Sequence, residues 1–360
     1  MKEYSCKTKI ISGPGAVKVL RDLNSRRLLV VTDPFFEKNG TAERLVKISQ
    51  APETKIYSGV EPDPSVALVA KGTAALQSFQ PDTVVALGGG SAMDCAKAMV
   101  FFSGLQVQFV AIPTTSGSGS EVTDFAILTH NGVKHPLIDP KLCPDVAILD
   151  GQLLEQLPAK LIADTGFDVL SHALESYVAT DAGPITDALA ENAFCKAVSL
   201  LPLSYRGNRG VRQEMHTAST MAGMAFTRAG LGLCHAMAHA IGGIFHLPHG
   251  RLNAILLPAV IGANAHTAGA KYAAIARSAG FGGAADTVAV RNLKNGLCRL
   301  RKELDLPPTM AQAGIDPHEV WRAAGDIVSA TLQDPCCKTN PIPVEDFMVR
   351  RILEEVTGRA

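Results

Sequence analysis

The chain has 360 residues, 47% of them hydrophobic and 19% charged, which exceeds what one core of about 250–300 residues organises, so two domains are expected. Its 34 basic and 34 acidic side chains cancel; no overall field gathers nucleic acid or an anionic membrane, and a small molecule is the expected partner. No stretch reaches the ~18 apolar residues that span a bilayer, and the first seven residues lack the apolar centre of a signal peptide, which points to the cytoplasm.

In chain order, Leu28-Leu29-Val30-Val31-Thr32 reads as a fully buried strand ending at Asp33, and residues 65–79 carry helical periodicity. Three more β-branched runs follow, at residues 83–87, 107–112 and 145–149. Continuous apolar strands alternating with helices predict an α/β domain with a mainly parallel, Rossmann-like sheet. From about Leu157 the character changes: Ala, Leu, Met and His fill long periodic segments and no strand pattern returns. We therefore expect an α/β domain over residues 1–157 and an all-α domain over 158–360, with Pro158 opening the helical half.

Two loops in the first domain suit a phosphate-bearing ligand. Gly88-Gly89-Gly90-Ser91 follows a strand and opens a helix containing Asp94 and Lys97. Glycines let backbone N–H groups approach an anion, and the helix N-terminus adds partial positive charge. Pro113-Thr114-Thr115-Ser116-Gly117-Ser118-Gly119 offers hydroxyls at the end of a second strand. Asp33 can accept both hydroxyls of an adenosine ribose and would repel a 2′-phosphate. In the usual dinucleotide fold the glycines come first and the acid about 20 residues later; here the acid comes first, so the spacing departs from the standard unit.

In the second domain Asp168 and His172 are four apart in a helical pattern, as are His235 and His239, and His246 and His249 follow closely. Burying several polar rings unpaired costs on the order of 1–3 kcal/mol each, and a metal would satisfy them together. One carboxylate with neutral imidazoles suits ferrous iron or zinc and leaves a position for a substrate oxygen. The eight cysteines are mostly scattered, as in a reducing compartment. The adjacent Cys336 and Cys337 read as loop thiols or as a redox pair.

These segments together, with Asp168-x-x-x-His172-Ala173-x-Glu175 and Pro248-His249-Gly250, resemble the iron-containing (group III) alcohol dehydrogenases over essentially the whole chain. Residues 218–226 and 245–254 look most like the 1-propanol dehydrogenase branch of bacterial microcompartments. The resemblance implies metal ligands Asp168, His172, His235 and His249, with His239 beside a nicotinamide as proton relay. It implies NAD as cofactor, held by Asp33, Gly89, Gly90, Ser91, Asp94, Thr114, Thr115, Ser118 and Lys134. Phe226 and Asn340-Pro341 would border the substrate. Ser118 replaces the family's commoner Thr, and the segment around Cys336 departs from its pattern.

The implied activity is metal-assisted hydride transfer between a short-chain aldehyde and its primary alcohol, in a homodimer or larger assembly, in the cytoplasm or a microcompartment. Residues 1–18 read as a targeting segment or as an ordinary first strand. A lyase of the dehydroquinate synthase kind is the alternative, and its anionic substrate would demand Lys and Arg around the histidines. A non-enzymatic metal-binding or scaffold protein would leave both glycine-rich loops unexplained.

Overall fold

The computed structural model describes residues 3–130 and 133–358. They form two compact units, Ser5–Gln156 and the chain from Leu157 onward, with which residues 3–4 group.

The first unit runs β1 (Lys9–Ser12), β2 (Arg27–Thr32), α1 (Pro34–Lys38), α2 (Thr41–Ser49), β3 (Glu53–Tyr57), α3 (Val66–Phe79), β4 (Thr83–Gly88), α4 (Gly90–Ser103), β5 (Gln108–Pro113), β6 (Phe125–His130), β7 (Val133–Ile138) and β8 (Val146–Leu149). Six strands make one parallel sheet in the order β1-β8-β5-β4-β2-β3, and β6-β7 is an antiparallel hairpin. The unbroken apolar runs have a simple cause. Leu28 and Val30 pack on one face with Leu20 and Leu45, while Leu29 and Val31 pack on the other with Leu76 and Met99, so both faces of β2 are buried.

From β2 the chain steps outward to β3, and α3 returns it to β4 on the other side of β2. The strand order therefore reverses between β2 and β4, and ligands of open α/β sheets bind outside the carboxyl ends of strands at such a point. The β2–β4 register, Thr32 beside Leu87, explains the unusual motif spacing: Asp33 and Gly88 are far apart in sequence and adjacent at the crevice.

Four strands, β1, β3, β6 and β7, lie outside the apolar runs read from the sequence. β3 is a sheet edge with Glu53, Thr54 and Lys55 exposed, and β7 is interrupted by Pro136, a residue confined to hairpin and edge positions. Within the segment 1–18, residues 9–12 are β1.

The second unit is helical: α5 (Ala159–Val178), α6 (Pro184–Tyr205), α7 (Arg212–Ala229), α8 (Leu233–Phe245), α9 (His249–Ser278), α10 (Asp286–Glu303), α11 (Pro317–Arg322), α12 (Ala324–Gln333) and α13 (Asp346–Thr357). Helix α5 is buried almost all round from Ile162 to Val178 and packs against α6, α7 and α9, the position its apolar circumference demands. Asp168, His172 and Glu175 project from this central rod, so each polar group must find a partner inside the unit.

Candidate dinucleotide and metal sites

At the carboxyl ends of β2, β4 and β5 the two glycine-rich loops lie against each other. Thr114 N donates to Gly88 O at 2.9 Å. A Cβ on Gly89 would lie 3.3 Å from Thr115 Oγ1, and one on Gly90 would lie 3.3 Å from Ser118 Cβ. Side chains at 89 and 90 would thus press on the second loop at the N-terminus of α4. Gly88 has φ +150°, and a Cβ there would meet Ala92 Cβ at 2.5 Å, so only glycine makes this turn. Asp33 caps α1, its Oδ1 accepting from Phe35 N and Phe36 N at 2.9 and 3.3 Å, while Oδ2 faces Gly88, 3.7 Å from where its Cβ would stand. A glycine cradle, a helix N-terminus and a carboxylate oxygen facing the turn fit a dinucleotide.

Asp94 and Lys97 support this cradle. Asp94 accepts from Ser120 Oγ at 2.8 Å and from Ile127 N at 3.1 Å, and burial raises its carboxyl affinity for protons against the opposing pull of Lys97. Lys97 Nζ, fully buried, donates to Thr123 O, Thr123 Oγ1 and Phe125 O at 3.0, 2.7 and 2.8 Å; burial lowers its pKa to about 8. Both residues pin the second loop and the β6-β7 hairpin to α4. Lys134 pairs with Asp63 at 2.7 Å. Ser91 stands in the first turn of α4.

In the helical unit Asp168, His235 and His249 converge, with one donor atom from each lying within 4.8 Å of the others. Nε2 of His235 and Nε2 of His249 are each 3.6 Å from Asp168 Oδ1. His172 is not in this trio. Its ring stacks between Phe226, at 4.4 Å, and His235, at 4.5 Å. His249 opens α9, and the next residue explains how it reaches α5: a Cβ on Gly250 would lie 1.9 Å from the carbonyl oxygen of Asp164 and 3.2 Å from Asp168 Cβ. Only glycine lets these backbones touch.

Two further residues organise the trio. Glu175 Oε2 meets His235 Nδ1 at 2.5 Å, and its carboxylate caps the N-terminus of α8 by accepting from Cys234 N and His235 N at 2.7 and 3.2 Å. With Nδ1 so held, Nε2 is the nitrogen presented to Asp168. Asn253, one turn beyond His249, donates through Nδ2 to Asp168 Oδ1 at 2.8 Å and lies 3.3 Å from Nε2 of both His235 and His249. Asn340 is buried and also caps α8, accepting from Leu233 N at 3.1 Å.

Burial pushes His249 well below its ordinary pKa, against the attraction of Asp168, so its ring is neutral at pH 7 with a lone pair to give. Burial opposes protonation of His235 as well, but hydrogen bonds to Asp168 and Glu175 raise it to about 9. Burial would raise Asp168, yet the imidazoles of His172 and His249 outweigh it and hold the carboxyl far below the usual range. A permanent carboxylate among imidazoles, one of them fixed through its far nitrogen, is a donor set that fits a divalent transition metal, which on binding would displace the Nε2 proton that His235 holds in its absence.

His239 stands apart from the trio. Its ring lies nearly parallel to that of His249, centroids 5.1 Å apart, and its Nδ1 bonds Asp334 Oδ2 at 2.8 Å. Burial opposes ionisation of Asp334, but His239 and Cys336 N hold its carboxyl down at about 2. Cys336 and Cys337 follow in a short turn, Pro335–Thr339. Burial raises both thiols, Cys337 to about 12, so neither is a thiolate at neutral pH.

Residues 7–151 match the model of the iron-containing alcohol dehydrogenases, and residues 162–357 match that of the C-terminal part of the same family. The chain belongs to the iron-containing alcohol dehydrogenase family. It is therefore an oxidoreductase that interconverts alcohols and aldehydes with a nicotinamide cofactor. Among its relatives, the 1-propanol dehydrogenase PduQ of Citrobacter freundii is 41% identical, covering 99% of this chain and all of that one. The NADPH-dependent butanol dehydrogenase of Clostridium saccharobutylicum is 36% identical over 98% of this chain and 97% of its own. The fold matches that of sulfoacetaldehyde reductase from Bifidobacterium kashiwanohense in complex with NAD+, with TM-score 0.90, 26% identity and full coverage of both chains.

For this family member the role of Glu175 yields a direct expectation. In Glu175→Gln the negative charge behind His235 is gone, and metal affinity should fall by about 10–100-fold, the usual effect of losing an outer partner of a ligating histidine. Competition with a chromophoric chelator measures it. A variant that melts earlier yet binds metal normally would reduce Glu175 to a helix cap.

Proposed function

We propose that this protein reduces short-chain aldehydes to primary alcohols, and catalyses the reverse, with NADH and ferrous iron. The observation that carries the reading is the convergence of Asp168, His235 and His249 around a shared point, with His235 fixed from behind by Glu175. His172, one turn from Asp168, is proposed as the fourth ligand. When bound, the metal supplies Lewis acidity at the carbonyl oxygen and the nicotinamide supplies hydride. Asp168 and His249 would hold the metal, the carboxylate offsetting one of its positive charges and the neutral ring giving a lone pair. His239, as imidazolium, donates its Nε2 proton to the product oxygen, and Asp334 on Nδ1 fixes the ring and stabilises the cation before transfer.

The alcohol dehydrogenase relatives, matched over full length, support this chemistry over the lyase alternative. Arg251, the basic residue closest in sequence to the ligands, is already tied to Asp164 at 2.6 Å, which favours uncharged substrates. Acetaldehyde, propanal and butanal should differ by graded factors, since one methylene changes binding by only ~1–3 kcal/mol. A clear preference for a polyol or a carboxylated substrate in a steady-state assay would refute this. We further infer a homodimer or larger assembly and, from the resemblance of residues 218–226 and 245–254, association with a microcompartment. No helix among the described residues is long and apolar enough to cross a membrane.

Cofactor choice is assigned to Asp33, whose Oδ2 would meet a 2′-phosphate with repulsion. NADH should therefore be favoured over NADPH, and Asp33→Gly should narrow the preference by about tenfold or more, ~1.4 kcal/mol. Glycine is a tolerated N-cap, so the change tests charge with little cost to α1. Equal kcat/KM for the two cofactors in the unaltered protein would remove Asp33 from this role.

A further inference from the structure

A cavity of the helical unit, about 870 Å3, lies away from the ligand trio: none of Asp168, His172, His235, His239 and His249 lines it. Its polar wall is Lys160 at the start of α5, Tyr205 at the end of α6, Arg251 on α9, Arg301 and Lys302 at the end of α10, and Asp305 just beyond. Leu306, Pro307 and Pro308 give it an apolar side.

The charges on this wall do not balance. Arg251 is satisfied, donating to both oxygens of Asp164 at 3.0 and 2.6 Å. Asp305 already accepts from Tyr205 Oη at 2.7 Å. Arg301 is different: its Nη1 donates to Ala254 O at 3.1 Å, Nη2 has only a 4.0 Å contact with Cys298 Sγ, and no carboxylate pairs with it among the described residues. Lys160 and Lys302 likewise form no ion pair among the described residues. Lys302 complements the carbonyl end of α10, but Arg301 is half-buried and reaches across to α9. Burial lowers its affinity for the proton, with no acid nearby to offset the cost. A half-buried guanidinium without counter-charge is costly, and its forked donors match phosphate and carboxylate oxygens.

We propose that this cavity binds a small organic phosphate, its charged group held by Arg301, Lys160 and Lys302 and its body against Leu306 and Pro307. Nothing in the aldehyde chemistry uses these residues.

The test is calorimetric titration of the metal-loaded enzyme with pyrophosphate, and separately with citrate, at about 0.15 M salt and with saturating NAD to fill the glycine-rich loops. Saturable pyrophosphate binding, tighter than citrate, is expected. Arg301→Gln should weaken it by about tenfold or more, the worth of one charge-assisted hydrogen bond. Should Arg301→Gln fail to fold, Lys160→Gln/Lys302→Gln, at exposed rim positions, should weaken binding several-fold at an unchanged melting temperature. Tighter binding of citrate would overturn the phosphate assignment. No saturable binding, or binding untouched in both variants, would overturn the site.

Discussion

His235→Ala and His249→Ala are each expected to lose metal and activity together, whereas His239→Ala keeps its metal and turns over slowly. His235 and His249 each present Nε2 to the same oxygen of Asp168, so removing either leaves a donor set that holds a divalent ion poorly. The loss should exceed the ~10–100-fold that an outer partner costs. His239 contributes through proton transfer, so its loss should lower kcat by about 10²–10⁴-fold. Metal analysis of the three purified variants beside kcat decides between the roles. A metal-free His239→Ala, or a fully metallated His249→Ala, would reverse them.

Gly250→Ala should damage the protein more than its size suggests. The added methyl would stand 1.9 Å from the carbonyl oxygen and 2.7 Å from the carbonyl carbon of Asp164. Backbone of a central, fully packed helix cannot swing aside as a side chain would, so α9 must move off α5. Overpacking in a core costs ~1–3 kcal/mol when side chains can adjust, and here the cost should reach or pass the upper figure. At about 2–4 °C per kcal/mol, a fall in melting temperature of roughly 6 °C or more follows. Because His249 and Asp168 sit on the two separated helices, metal affinity should fall as well. Gly269→Ala is the control: it lies in the same helix with nothing within 4 Å of its Cβ, and should be neutral or slightly stabilising. Equal behaviour of the two variants would show that the α5–α9 contact is not tight.

What the sequence reveals of this protein follows the range of the interactions involved. Buried strands such as β2 and β4 are legible because both faces are apolar, and the i,i+4 pairs Asp168/His172 and His235/His239 are legible because one helix carries both members. Asp33 is harder to place from spacing, since only the parallel register of β2 with β4 sets it beside Gly88. Glu175, Asn253 and Asp334 have no visible role until α5, α8, α9 and the turn after α12 are assembled, because each acts on a histidine of another element or of another turn. The separation of His172 from the trio is equally a matter of ring stacking, which spacing does not express. Gly250 appears in sequence only as part of the Pro248-His249-Gly250 motif; the Asp164 carbonyl that demands it belongs to a different helix.

The pairing of β1 with β8 has a consequence for how the first unit comes into being. β8 lies between β1 and β5, with Lys9 to Ser12 beside Val146 to Leu149, so the first strand to leave the ribosome waits for the last. Until residue 149 has emerged, β5 has a bare edge and β1 has no partner at all. Loop closure over so long a separation is slow, and an unpaired edge is open to other chains meanwhile. Maturation of the nucleotide unit is thus a late, single closing step, and a translational pause shortly before β8 would expose nascent chains to aggregation more than a pause after it.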